Sequence, residues 1–297
     1  ERQKREQKKA APGGGGGGGP FFVVSGPGDP DLLTVRARTV IASATTAFID
    51  PDVPAAVVAM IGSAHRDEPT ESARKNTKND AKKADKATDD AASSDAQDAD
   101  VENAEGDEEH DQVVHPALGD PAEVARTLVA AAKEGDDVVR VVSGDPLTTD
   151  SVLSEVNAVS RTAIAFEVLP GLPAASVVPS YAGMPLGSSH TEADVRSEGV
   201  DWAALAAAPG PLVLHATSGH LAETASALTE HGLAPQTPVA ITINGTTCAQ
   251  RTIEATLATL NEQGNALTGP LILTIGKVVS QRGKLSWWAV SYTHLTL

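Results

Sequence analysis

The sequence contains a single cysteine, Cys248, and lacks any run of 18 or more apolar residues. One cysteine cannot form a disulfide within the chain, which favours a reducing compartment. Without a long apolar run we expect no membrane-spanning helix, and the charged, then glycine-rich start lacks the apolar segment of a signal peptide. These absences predict a cytoplasmic protein with no membrane partner.

Aromatic residues make up only 3% of the 297 residues, and 23 Lys and Arg stand against 39 Asp and Glu. The core must therefore consist of Ala, Val, Leu and Ile. Full burial of a Val, Leu or Ile side chain stabilises the fold by roughly 1.5–3 kcal/mol. The net charge of −16 would repel a phosphate backbone, so we expect no nucleic-acid partner. The histidines show no spacing typical of a zinc site, and we expect no metal.

Two segments have too few apolar residues to form a core. Residues 1–20 include seven consecutive glycines, Gly13 to Gly19, and are predicted to be a disordered tail. Between Arg66 and Asp111 there are 16 acidic and 7 basic side chains, with almost nothing to bury. This composition predicts a disordered acidic insert at residues 66–112, because burial could not offset the entropy of ordering it.

The rest of the chain alternates between patterns typical of strands and of helices, which predicts an α/β fold with a doubly wound sheet. The predicted strands are Phe21–Val24, Thr46–Ile49, Asp137–Val142, Ile164–Val168, Pro211–His215, Pro238–Ile243 and Leu271–Ile275. Helices are predicted at Pro30–Ser43, Pro54–Ile61, Pro121–Lys133, Asp150–Ser160, before Tyr181, at Leu221–His231 and at Ala249–Glu262.

Turns rich in Gly and Pro follow four of these strands, at residues 26–30, 144–146, 170–173 and 244–246. Ligands of open α/β sheets bind beyond the carboxyl ends of strands, where glycine lets the backbone approach them. The turns therefore predict a ligand-binding cleft. The first of them is not a dinucleotide fingerprint, because Asp31 stands where the third glycine belongs.

The order and spacing of these motifs resemble those of the tetrapyrrole methylases, in particular the uroporphyrinogen-III C-methyltransferases. The matching stretches are VVSGPGDPDLLTVRA (23–37), AFID (47–50), VVRVVSGDP (138–146), FEVLPGLPA (166–174), YAGMPL (181–186), TPVAITINGTTCAQRTIEATLATL (237–260) and LTIGKVV (273–279). The resemblance implies a class III methyltransferase fold of two α/β units with a cleft between them. We expect the units to span residues 21–185 and 186–288.

The resemblance also implies an activity, the methylation of uroporphyrinogen III to precorrin-2 with S-adenosylmethionine as donor, in sirohaem and cobalamin biosynthesis, by a homodimer. Asp50 matches the catalytic acid/base position; a turn or helix-capping role before Pro51 is the alternative. Nine further positions match residues that contact the donor, namely Pro27, Ser143, Gly144, Asp145, Thr148, Pro173, Ala174, Ala216 and Gly245.

Several basic and donor groups of the family pattern are replaced in this sequence. Serine stands at Ser143 where the family has glycine, and the family's catalytic lysine would fall inside the insert. A polycarboxylate substrate needs Arg or Lys. The candidates are arginines that could equally be ordinary surface residues, Arg36, Arg38, Arg140 and Arg251.

Two functional hypotheses therefore stay open. The chain is either an active methyltransferase or a catalytically degenerate partner or regulatory domain of a uroporphyrinogen-III synthase. The second hypothesis arises because residues 149–159 and 190–195 resemble family members that are fused to such a synthase. Residues 289–297 look foreign to the family, so we expect that the gene is truncated.

Overall fold

The computed structural model describes residues 19–66, 112–285 and 287–288. Most of the predicted tail 1–20, nearly all of the predicted insert 66–112 and the segment 289–297 lie outside the described residues. At the two ends of the insert, a helix ends at Arg66 and the side chain of Gln112 donates to the Gly62 carbonyl at 3.0 Å.

The first sheet consists of five parallel strands: β1 (Phe21–Val24), β2 (Thr46–Ile49), β3 (Val113–Pro116), β4 (Val138–Val142) and β5 (Glu167–Leu169). Their order in the sheet is β3-β2-β4-β1-β5. The connection from β1 runs towards one edge and that from β4 towards the other, so the neighbouring ends of β1 and β4 form the topological switch point where ligands of such sheets bind.

Helices cover both faces of this sheet, as the predicted doubly wound fold requires. They are α1 (Val35–Ser43), α2 (Ala55–Val58), α3 (Ser63–Arg66), α4 (Pro121–Glu134) and α5 (Asp150–Ser160). Val139 and Val141 of β4 belong to one core with Ile41. Val138 and Val142, which point the opposite way, belong to a second core with the buried side chains of α4 and α5.

The predicted helix at Pro30–Ser43 is divided in two. Asp29 caps a short 3-10 turn, Pro30–Leu32, by accepting from Asp31 N, and the backbone is extended at Leu33 and Thr34. The Thr34 hydroxyl then accepts from Ala37 N and begins α1. Two local capping residues therefore compete with one continuous helix, and both are satisfied.

The second sheet consists of β6 (Thr191–Asp194), β7 (Leu212–Ala216), β8 (Pro238–Ile243), β9 (Arg251–Thr256) and β10 (Leu271–Ile275), in the order β6-β7-β10-β8-β9. Only β6 and β7 are parallel; the other three pairs are antiparallel. One face packs on α7 (Trp202–Ala207), α8 (Leu221–Glu230) and α9 (Leu260–Gly264).

The opposite face of the second sheet is covered by a helix that follows the last strand of the first sheet. This helix is α6 (Ala174–Tyr181), and its Ala175 and Val178 pack against Val213 and Ile272. A short helix near the end of the described chain, α10 (Arg282–Leu285), follows the 3-10 turn at Lys277–Gln281. The two sheets are therefore joined by an element that packs on the second one.

The predicted helix at Ala249–Glu262 is wrong. Residues Arg251–Thr256 form β9, which pairs with β8 so that Ile253 lies opposite Ile241. β-Branched side chains such as Thr252 and Ile253 fit a pleated strand, and this pairing outweighs a helical preference. The strands β3 and β6 and the helix α7 were not predicted. No helix within the described ranges is long and apolar enough to cross a membrane.

Candidate functional site

Two adjoining cavities lie at the carboxyl ends of β1, β4 and β6, with volumes of about 200 and about 460 Å³. The smaller is lined by loops from both sheets, and the larger extends along the loop after β4. Five residues line both of them: Gly26, Ser143, Ala174, Arg196 and His215. Because of these shared walls, we treat the two cavities as one cleft.

Eight of the ten residues predicted from the sequence line this cleft. Pro27 and Gly245 line the smaller cavity, and Ser143 and Ala174 line both. The larger cavity adds Gly144, Asp145, Thr148 and Pro173. Motifs separated by more than 200 residues in the sequence are thus brought to one place, the switch point of the first sheet.

The other two predicted residues, Ala216 and Asp50, do not line the cleft. Ala216 is only 1% exposed and packs in the core of the second sheet. Asp50 follows β2, and its Oδ2 accepts from Ser143 N at 3.0 Å and from the Ser143 hydroxyl at 3.4 Å. Asp50 therefore lies directly behind Ser143, one residue away from the cavities.

Asp50 also belongs to a buried charged triad with Arg140 and Glu155. The Nη2 of Arg140 lies 2.6 Å from Asp50 Oδ1, and its Nε and Nη2 donate to the two oxygens of Glu155 at 2.7 and 3.0 Å. Burial by itself lowers the pKa of Arg140, but the hydrogen bond to Glu155 and the charge of Asp50 outweigh it, so the pKa is raised. Arg140 therefore stays charged.

This arrangement corrects the prediction for Arg140, which is 2% exposed and cannot meet a substrate carboxylate at the surface. Four of its five N–H donors are already used, including one to the carbonyl of Val141. Arg36 and Arg38 are exposed and pair with Glu167 and Asp31, and they do not line the cleft. Arg251, at the start of β9, does not line it either.

Asp145 is held in a fixed orientation at the cleft. Its Oδ1 accepts from Leu147 N at 2.8 Å, which closes a turn before α5. The residue is exposed and lines the larger cavity. Its Oδ2 can therefore accept hydrogen bonds from a ligand without rearrangement of the loop.

The loops after β1 and β8 meet at one end of the cleft. The Thr246 hydroxyl accepts from Asp29 N at 3.0 Å. A Cβ on Gly28, whose φ is 150°, would lie 2.4 Å from the Gly245 carbonyl oxygen, so only glycine permits this approach. Asn244 and Thr246 have φ of 51° and 65°, a costly conformation for non-glycine residues that is often found at functional sites.

The charged residues that follow or end β6 and β7 were not predicted from the sequence. Arg196 donates from Nε and Nη2 to Asp194 at 2.9 and 2.7 Å and from Nη1 to Asp52 at 3.2 Å. His215 Nε2 lies 2.8 Å from Glu192 Oε1. One signal was present: Arg196 is the only Lys or Arg between Arg161 and Arg251 in the sequence. The described residues contain no cluster of His, Cys, Asp and Glu placed to hold a metal ion.

Comparison with known proteins finds relatives among the siroheme synthases. A siroheme synthase of Psychromonas ingrahamii is 30% identical over 277 residues, which cover 90% of this chain and 50% of that protein. A siroheme synthase of Edwardsiella ictaluri is 35% identical over 177 residues, which cover 56% of this chain and 38% of that protein. The chain thus spans half or less of the length of these curated relatives.

Solved structures with the same fold include a uroporphyrin-III C-methyl transferase from Thermus thermophilus in complex with S-adenyl homocysteine. Its TM-score is 0.64 at 21% identity, covering 89% of this chain and 99% of that one. A cobalt precorrin-4 methyltransferase has a TM-score of 0.62 at 17% identity, covering 88% and 95%. At these identities the likeness establishes the fold alone.

The model of one protein family, described as Tetrapyrrole (Corrin/Porphyrin) Methylases, matches residues 21–261. This range is most of the chain and contains all of the cleft-lining residues that were predicted from motifs. The chain therefore belongs to the tetrapyrrole methylase family.

Proposed function

We propose that the chain transfers methyl groups from S-adenosylmethionine to carbon atoms of uroporphyrinogen III, forming precorrin-2 for sirohaem and cobalamin biosynthesis. The observation that carries this proposal is the gathering of eight motif residues around one cleft. Family membership supports methylation of a tetrapyrrole. The Thermus thermophilus relative, solved with S-adenyl homocysteine, supports the donor.

The cleft fits a donor of this size and polarity. Pockets for ligands of comparable size hold roughly 300–1,000 Å³, and the two cavities have volumes of about 200 and about 460 Å³. The carboxylate of Asp145, which lines the larger cavity, suits the ribose hydroxyls of the donor. When bound, the donor supplies an electrophilic methyl group on a sulfonium sulfur.

The protein's own contribution is to position the reactants and to move protons. In our proposal Asp145, oriented by Leu147 N, binds the donor through Oδ2. Walls from both sheets exclude water and fix the distance between donor and acceptor, which supplies much of the rate in a transfer of this kind. The methylated pyrrole carbon is already fully substituted and becomes quaternary, so the macrocycle must release a proton from another atom, a pyrrole nitrogen or an adjoining bridge carbon. We propose that Asp50 takes up this proton.

The position of Asp50 supports this role. Asp50 lies behind Ser143, and Ser143 lines both cavities. The Ser143 hydroxyl donates to Asp50 Oδ2 at 3.4 Å. The hydroxyl therefore links the carboxylate to the cleft. The competing role for Asp50 is to hold the loop after β4 through Ser143 N and to neutralise Arg140.

Two substitutions separate donor binding from proton transfer. Asp145→Ala should weaken S-adenosylhomocysteine binding about 10- to 150-fold, as expected for a lost hydrogen bond to a charged group. Asp50→Asn should leave that affinity nearly unchanged and lower turnover by roughly 10²–10⁴-fold. Calorimetry measures the first and a coupled methyl-transfer assay on uroporphyrinogen III the second.

Thermal melting of each variant serves as the control, because Asp50→Asn also removes a partner of Arg140. A loss of turnover that is fully explained by unfolding would assign Asp50 the structural role. Equal effects of Asp50→Asn on donor affinity and on turnover would contradict the acid/base role.

The alternative is a catalytically degenerate partner or regulatory domain of a uroporphyrinogen-III synthase. One observation favours it: the cleft lining has five carboxylates, Asp52, Asp145, Asp150, Glu192 and Asp194, against one guanidinium. An acidic cleft repels a polycarboxylate. If the wild-type protein binds S-adenosylhomocysteine but never transfers a methyl group, the enzyme proposal fails and this alternative stands. If it binds no donor either, the resemblance to the family's active members is one of fold alone.

A further inference from the structure

Arg196 occupies the one position in the cleft where an anionic group of a ligand could be neutralised. It follows β6 by two residues, lines both cavities, and is the only Lys or Arg in the described cleft lining. An acceptor with several carboxylates, as the proposed function requires, would otherwise meet only neutral residues and five carboxylates among the described lining residues. The charge distribution therefore directs such a ligand to this side chain.

Asp194 fixes the guanidinium in place. Its Oδ1 accepts from both the backbone N and Nε of Arg196 at 2.9 Å, and its Oδ2 accepts from Nη2 at 2.7 Å. Burial raises the pKa of the Asp194 carboxyl, but the hydrogen bonds from Arg196 outweigh burial and the pKa lies below its usual value. Asp194 therefore remains ionised and holds the planar fork in one orientation, which suits bidentate recognition of a carboxylate.

The contact with Asp52 is of a different kind. It is a single interaction of 3.2 Å between Nη1 and Asp52 Oδ2, and the two side chains are 30% and 39% exposed. Asp52 comes from the loop after β2, whereas Arg196 and Asp194 belong to the second sheet. Long, partly exposed ion pairs are weak. Asp52 is therefore the partner that a ligand can replace.

The donor inventory of Arg196 leaves room for such a ligand. A guanidinium carries five N–H donors, and the contacts above engage three of them among the described residues. The remaining two belong to Nη1 and Nη2. Replacement of Asp52 would free a further donor on Nη1 for a carboxylate.

We propose that Arg196 binds a carboxylate of the acceptor substrate, and that this carboxylate takes the place of Asp52. Asp194 is the positioning residue that orients Arg196, and Asp52 stays paired with the guanidinium until the acceptor binds. The inference rests on the proposed function only for the class of acceptor, a polycarboxylate tetrapyrrole. It makes Arg196 a specificity-determining residue of the cleft.

The test uses uroporphyrin III, the stable oxidised form that retains all carboxyl groups, titrated at low ionic strength against the full chain by fluorescence quenching. Arg196→Gln should raise the Kd about 10-fold or more, because a hydrogen bond to a charged group is lost. Arg196→Lys should give an intermediate Kd, since it keeps the charge without the fork. Arg196→Lys also serves as the test variant if Arg196→Gln does not fold.

Asp52→Asn should lower the Kd about 2- to 5-fold, because the ligand no longer has to displace an exposed ion pair. Asp150→Asn is the matched control: it removes the same charge from the lining of the larger cavity, and Asp150 has no contact with Arg196 among the described residues. We expect a smaller gain from it. In an Arg196→Gln background, Asp52→Asn should give no gain.

Three results would overturn the proposal. One is an Arg196→Gln variant that folds, by thermal melting, and binds uroporphyrin III as the wild type does. Another is a gain from Asp52→Asn that persists without Arg196, which would mean that only overall charge matters. The third is a loss of S-adenosylhomocysteine affinity, measured by calorimetry, with no change for uroporphyrin III, because Arg196 would then serve the donor.

The same calorimetry separates this proposal from the proposed function. If the wild type binds no S-adenosylhomocysteine, the proposed function fails whatever Arg196 does. If it binds the donor and Arg196→Gln leaves uroporphyrin binding intact, only the role of Arg196 fails. Arg126→Gln, which removes an exposed arginine paired with Glu123 on α4, is the control for the loss of one positive charge outside the cleft.

Discussion

Removal of Glu155 should destabilise the protein far more than removal of an ordinary surface carboxylate. Glu155 is 3% exposed on α5 and makes two short contacts with Arg140, which is 2% exposed on β4. In Glu155→Leu the guanidinium would stay charged, because an arginine side chain is not deprotonated in proteins. Only Asp50, which is 17% exposed, would remain as a counter-ion.

The size of the effect follows from the burial of both partners. Breaking a buried ion pair by removing one member costs roughly 3–5 kcal/mol, because the other charge is left without compensation. In a domain of this size, 1 kcal/mol shifts the melting temperature by about 2–4 °C. Glu155→Leu should therefore lower the melting temperature by roughly 6–20 °C.

Replacing both members should restore much of this loss. A buried pair exchanged for apolar side chains of similar volume is often neutral or stabilising by about 1–4 kcal/mol. The double variant Arg140→Met/Glu155→Leu would leave Asp50 with its hydrogen bond from Ser143 N. We therefore expect the double variant to be more stable than either single variant, a non-additivity that a double-mutant cycle measures.

Urea unfolding, with the midpoint compared at unchanged slope, gives these differences directly. The matched control is Glu123→Gln on α4, since Glu123 pairs with Arg126 and both side chains are about two-thirds exposed or more. That pair should contribute less than about 1 kcal/mol. A cost of Glu155→Leu no larger than that of the control would refute the reasoning, because Arg140 would then need no buried counter-charge.

Two further predictions concern the cleft. In Gly245→Ala the new Cβ would lie 2.4 Å from Cγ2 of Val178, a residue that is buried against the second sheet. The free energy of unfolding should therefore fall by about 1–3 kcal/mol, and S-adenosylhomocysteine affinity should fall with it. Urea unfolding and calorimetry measure the two effects, with Gly219→Ala as the control, because its Cβ would meet nothing closer than 3.8 Å. Burial raises the pKa of the Asp194 carboxyl, but the hydrogen bonds from Arg196 outweigh burial and hold the pKa below its ordinary value. Asp194 therefore stabilises the fold at higher pH and loses this contribution as the pH falls through its lowered native-state pKa. Asp194→Asn should flatten the dependence of melting temperature on pH below about 4, and an unchanged dependence would contradict the argument.

The sequence predicted the central strands of the first sheet, β1, β2 and β4, because they are largely buried on both faces. Runs such as Phe21–Val24 and Val138–Val142 are apolar throughout, and each is followed by a turn that only Gly, Pro and Asp favour. A helix such as α5 has its own apolar periodicity. Local pattern and tertiary environment agree in these elements, so the pattern alone suffices.

The missed elements lie where local pattern and environment disagree. All four residues of β3 are exposed, and its two valines are too few to mark a strand, whereas β6 carries Glu192 and Asp194. The segment of β9 has three β-branched residues at the edge of its sheet, and the surrounding residues 249–262 contain enough Ala and Leu to suggest a helix. Its conformation is determined by hydrogen bonding to β8, which short-range sequence does not reveal.

The same distinction applies to the cleft. The residues that were found, such as Pro27 and Asp145, lie in turns whose composition marks them. Arg196 and Asp52 lie 144 residues apart in sequence, and each is unremarkable by itself. Only the arrangement of the two sheets brings them within 3.2 Å of each other. A charge pair that depends on tertiary placement has no local signal, apart from the scarcity of other basic residues around Arg196.

The contacts between the sheets give the cleft two different boundaries. At one end, Asp29 N donates to a fully buried Thr246 hydroxyl, and Gly28 approaches Gly245 too closely for any side chain. At this boundary the backbones of Gly28 and Gly245 are in direct contact, so there is no side chain between them that could repack. At the other end, the partly exposed pair of Asp52 and Arg196 can separate without leaving a buried charge. If the cleft widens to admit a large acceptor, it should therefore open at Asp52 and Arg196, with the glycine contact as the fixed side.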